Sequence, residues 1–160
     1  MVSGYAIQSG CRQWLVKTFH LFAGEDAFVD DMLALDVRNN SAWNHRHFIV
    51  SHTKESKSAA VQWEEMQFAM NKLERISDNE SGWNYLRGLL LLCMKLHEKK
   101  DAETISRWWK QSPQQHADAL LSWLHGLNQE MNRFAQALLA EVFLAKGQPD
   151  QAKQVMDLLS

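Results

Sequence analysis

Proline and cysteine are almost missing from this 160-residue chain, with two of each, and glycine occurs only seven times. Cys11 and Cys93 are too few and too far apart for a disulfide framework or a CxxC metal knuckle. Two reduced thiols and a cytoplasmic protein are expected instead. Long apolar runs are also lacking. The longest, "GLLLLCM" at 88–94, falls far short of the roughly 20 residues that a membrane-spanning helix needs. The opening "MVSGYAIQSGCRQW" has no basic stretch followed by an apolar one, so no secretory signal is expected. Nor is there a surplus of one charge: 17 Lys and Arg against 19 Asp and Glu give a net charge of −2. That balance argues against a nucleic-acid footprint or a polybasic membrane patch. No glycine-rich phosphate loop, GxSxG elbow or HExxH pair is found, and no residue stands out as a chemical catalyst.

What is present is apolar residue at helical spacing. Ala59, Trp63, Met66, Met70 and Leu73 recur every three or four positions, as do Met131, Phe134, Leu138, Val142 and Ala145. No alternating β-branched stretch suggests a strand. Short polar breaks predict helices near 10–23, 25–36, 41–52, 58–76, 81–98, 102–110, 115–126 and 129–146, with another from about 149 to the end. Ser41 and Ser81 are candidate N-caps. Gly24 and Gly147 suit the left-handed position after a helix, and Pro149 suits a first turn. Seven tryptophans supply large anchors for such helices. The size fits one domain over 1–160.

One phrase occurs twice. "DVRNNSAWNHRHF" (36–48) and "DNESGWNYLRGLL" (78–90) place Asn39, Ser41, Trp43 and Asn44 opposite Asn79, Ser81, Trp83 and Asn84. Trp43 and Trp83 lie 40 residues apart, and Arg12 and Arg46 lie 34 apart. These are helix-pair periods of solenoid repeats, in which each unit buries its face only against its neighbours. The expected fold is therefore all-α, a superhelical array of antiparallel helical hairpins of tetratricopeptide-like kind. A partial repeat covers about 1–35, repeats cover about 36–76 and 77–110, and a helical continuation covers 111–160. Trp43 and Trp83 are the expected structural anchors, and the asparagines before them are expected to bond loop backbone.

Metal chemistry finds no support in the histidines. His45 and His47 point about 200° apart on a helix, and His45 and His52 are separated by about 10 Å along the axis. Asp30 and Asp31 read as a solvated helix face, and one of Trp108 and Trp109 as a partner surface.

The repeated phrases resemble consecutive repeats of the α subunit shared by protein farnesyltransferase and geranylgeranyltransferase type I. "CRQWLVKTFHLFAGEDAFVDDML" resembles the remainder of the repeat before them, so the likeness runs over about residues 11–92. It implies an α subunit that supports a β subunit. That β subunit holds the catalytic zinc, with or without magnesium, while this chain binds no cofactor itself. The assembled enzyme transfers an isoprenoid from its diphosphate to the cysteine of a CaaX protein. The family's lysine-bearing "KNYxxW" repeat is expected to lie upstream, and the next such slot reads "GYAIQSGC" here, with Ser9 in place of Trp and Cys11 in place of His. The sequence is thus expected to be a C-terminal portion or short isoform, and to be marginal or self-associating alone. Leu86 stands where the earlier repeat has Arg46. Arg12, Asn39, Asn40, Asn44, Arg46 and Asn84 are the candidates either for a network between hairpins or for the β-subunit interface. The alternative reading is a non-catalytic helical-repeat interaction module.

Overall fold

The computed structural model describes residues 3–53, 58–96, 114–129, 132–145 and 147–157. Among them are eight α-helices and no strand: α1 Ser3–Phe19, α2 Glu25–Leu35, α3 Asn40–His52, α4 Ala59–Arg75, α5 Glu80–Leu96, α6 Gln114–Gln129, α7 Arg133–Ala145 and α8 Pro149–Asp157. The described residues are all-α, as the apolar spacing predicts. The expected helix at 102–110, with Trp108 and Trp109, lies outside the described residues, as does the side chain of Cys93. The chain divides into two compact units, 1–89 and 90–160.

The core of the first unit repeats with the 40-residue period of the sequence. Val29 and Ala69, Leu33 and Leu73, Trp43 and Trp83, and Ile49 and Leu89 are all buried. Fully burying a side chain of this size contributes about 1.5–3 kcal/mol. Burial at both copies of a position makes the period a packing requirement. At the position equivalent to Ala42, a side chain on Gly82 would come within 3.0 Å of Leu73, so the second hairpin closes more tightly there. The first helix is less well covered. Leu15, Trp14 and Phe19 are exposed, although Ile49 and Leu89 hold Leu15's place in the later repeats.

Helix ends depart from expectation in several places, α1 beginning at Ser3 and not near 10, and α6 running on to Gln129 past 126. α1 stops at Phe19, not near 23, because His20 takes the left-handed conformation (φ 56°) and the Leu21 amide closes back on the Val16 carbonyl at 3.0 Å. Gly24 is left-handed too (φ 82°), but it precedes α2 instead of ending α1. α7 starts at Arg133 because Asn132 accepts from the amides of Phe134 and Ala135 at 3.0 and 3.1 Å. Gly147 (φ 70°) does close α7 as expected. Its amide donates to Leu144, and that of Gln148 donates to Phe143, before Pro149 opens α8.

In the second unit α7 packs on both α6 and α8. Leu120 and Leu124 of α6, Leu139 and Phe143 of α7, and Ala152 and Val155 of α8 are buried.

Candidate functional site

The repeated phrase builds the same joint twice. The Trp43 indole Nε1–H donates to the Val37 carbonyl at 2.7 Å, and that of Trp83 donates to Ser77 at 2.8 Å, six residues back in each case. Both rings are buried, at 1% and 4% exposure, so each indole finds its acceptor in the turn that leads into its own helix. The caps are the asparagines, not the serines. Asn39 Oδ1 accepts from the amides of Ser41 and Ala42 at 3.0 and 3.2 Å, and Asn79 Oδ1 accepts from Gly82 at 3.4 Å. The asparagine two positions earlier takes the capping role that was expected of Ser41 and Ser81. Asn79 also reaches across the repeat: its Nδ2 donates to the Val37 carbonyl at 2.9 Å, so that one oxygen serves Trp43 and Asn79 together. Ser81 Oγ lies 3.5 Å from the Arg38 carbonyl, to which it donates, and Arg38 pairs with Asp78 at 2.6 Å on the surface.

A second joint, ionic and mostly buried, also occurs twice. Arg12 of α1 grips Glu25 of α2 with two bonds of 2.8 and 2.7 Å, and lies 3.7 Å over the Phe28 ring. His45 Nε2 of α3 stands 2.6 Å from the same carboxylate, which places the ring proton on Nε2. One repeat later Arg46 of α3 grips Glu65 of α4 at 2.7 and 2.9 Å and lies 3.7 Å over Phe68. The Tyr85 hydroxyl of α5 donates to Glu65 at 2.5 Å. Glu25 and Glu65, Phe28 and Phe68, and His45 and Tyr85 are each 40 residues apart. In both copies an arginine from one hairpin binds the first helix of the next, and a ring from that hairpin's second helix closes the set. Arg46 has one further partner, Asp30 of α2, at 2.7 Å, so Asp30 is not merely a solvated acid despite 55% exposure.

The electrostatics follow from burial against pairing. Burial alone would raise the Glu25 pKa, but the bonds from Arg12 and His45 outweigh it and hold the carboxyl below its ordinary 4.5. Burial would lower that of Arg46, and the Glu65 carboxylate more than reverses this. Tyr85 is pushed well above its ordinary 10.0 by burial first and by the adjacent Glu65 charge second. All three directions stabilise the charge states the joints use: carboxylate, guanidinium, neutral phenol. Such a set fixes helix against helix. It contains no activated nucleophile or free general base.

Of the sequence candidates, then, Arg12, Asn39 and Arg46 are drawn into the joints, along with Trp43 and Trp83. Asn40, Asn44 and Asn84 are exposed and are not. The partners Glu25, Glu65, Phe28, Phe68, His45 and Tyr85 escaped sequence reasoning, although the 40-residue offset that flags Trp43 and Trp83 flags them equally. Leu86, in the slot of Arg46, is fully buried, so the arginine joint is not repeated a third time at that position. His47 lies against Gly88, where a side chain would meet its ring at 3.0 Å, and edge-on to Tyr85. Among the described residues no group of three or more His, Cys, Asp or Glu is placed to hold a metal ion. No helix of the described residues is long and apolar enough to cross a membrane.

Between α1 and α3 runs an open groove of about 590 Å³, lined by Gly10, Gln13, Asn44, His47, Phe48, Ser51 and His52. None of these is an acid, a lysine or an arginine.

Residues 22–53 and 63–93 match the protein prenyltransferase alpha subunit repeat. The chain is 48% identical over 74 residues to the protein farnesyltransferase/geranylgeranyltransferase type-1 subunit alpha of Dictyostelium discoideum, covering 46% of this chain and 23% of that one. It is 36% identical over 66 residues to the subunit of the same name from Pisum sativum, covering 41% and 20%. The aligned parts span between a fifth and a quarter of those relatives' length.

Proposed function

We propose, for a chain whose residues 22–53 and 63–93 are repeats of the protein prenyltransferase α-subunit family, that it acts as the α-subunit side of a cytoplasmic, heterodimeric CaaX prenyltransferase. The observation that carries this is the paired joint. Arg12–Glu25–His45 and Arg46–Glu65–Tyr85, with Trp43 and Trp83, lock consecutive hairpins in one register, and all of them but Arg12 fall within the residues that match the family's repeat. A rigid array of this kind suits support of a second subunit better than bond making.

On this reading the β subunit brings the zinc and the isoprenoid pocket. The described residues of this chain offer no donor set for that metal, and no step is assigned to them. The assembled enzyme would join a farnesyl or geranylgeranyl group to the cysteine of a CaaX protein, a reaction that needs the cysteine as thiolate. This chain's contribution is to order and brace its companion.

A second reading concerns residues 90–160. There α7 packs on α6 and on α8 outside the family match, with a glycine-closed turn between α7 and α8, as in a non-catalytic helical interaction module.

The test is co-expression with a farnesyltransferase β subunit, then size-exclusion chromatography and a prenyl-transfer assay on a CaaX peptide. Co-elution with transfer is expected. Co-elution without transfer would reduce the role to binding, and separate elution would reject the subunit reading and leave the interaction module.

A further inference from the structure

We draw no further inference here: the strongest candidate, the exposed apolar face of α1 formed by Trp14, Leu15 and Phe19, carries none because nothing in the structure shows what covers it.

Discussion

Arg46→Met is the perturbation whose size the structure sets most clearly. The arginine makes two bonds to Glu65 and one to Asp30, with its guanidinium flat on Phe68. Methionine keeps the stem and the ring contact but strands Glu65, which retains only the Tyr85 hydroxyl. Removing one member of a buried pair costs about 3–5 kcal/mol. Asp30 is half exposed and can return to water, so the lower end applies, about 3 kcal/mol. For a chain of this length that lowers Tm by roughly 6–12 °C. Urea unfolding followed by circular dichroism, with amide exchange in α3 and α4 to localise the loss, would measure it. Replacing the whole set, Arg46→Leu with Glu65→Met and Tyr85→Phe, should restore stability to within about 1 kcal/mol, because no charge is then left unpaired. The chain itself already carries Leu86 in the arginine slot one repeat on. If Arg46→Met costs less than about 0.5 kcal/mol, a surface-pair value, the claim that this joint locks the hairpins is refuted.

Other outcomes follow from the same joints. Asn79→Ala should cost about 1–2 kcal/mol, because it removes a cap and a bond to Val37 across the repeat, whereas exposed Asn40→Ala should change little; chemical denaturation of the two variants compares them. Glu25 is held below its ordinary 4.5, so its stabilisation is full above that pH and is lost as acid takes the pH down through the folded value. Stability measured between pH 6 and pH 2.5 should therefore show a flatter acid limb in Glu25→Gln. Tyr85, raised above its ordinary 10.0, gives the opposite sign: its contribution is complete below that pH and fades as the pH climbs beyond it, and Tyr85→Phe should flatten the alkaline limb. The exposed strip of Trp14, Leu15 and Phe19 should drive association of the isolated chain, and Leu15→Lys with Phe19→Lys should reduce it in sedimentation runs across concentration.

Much of the fold was legible because helices and repeats leave periodic marks. The spacing of three or four gave the helices, and Trp43 and Trp83 gave the joint. What was not legible has a physical cause in each case. Glu25 and Glu65 look like any solvated helix acid until an arginine from the preceding hairpin is known to reach them. Ser41 and Asn39 can both cap, and only the turn geometry decides between them. His20 holds a left-handed position that composition assigns to glycine. At the candidate interface, sequence grouped Asn39, Asn40, Asn44 and Asn84 together, and the structure separates them by use: Asn39 is consumed by the fold, and the other three are left on the surface.

The affinity of this chain for a farnesyltransferase β subunit decides whether it serves as the α-subunit side of such an enzyme. Sedimentation velocity on the co-expressed pair, diluted through the nanomolar range, would measure it. A one-to-one species is expected that persists on dilution and weakens sharply in the Arg46→Met variant, whose hairpins are no longer held in register. Two independent boundaries at every concentration would contradict it.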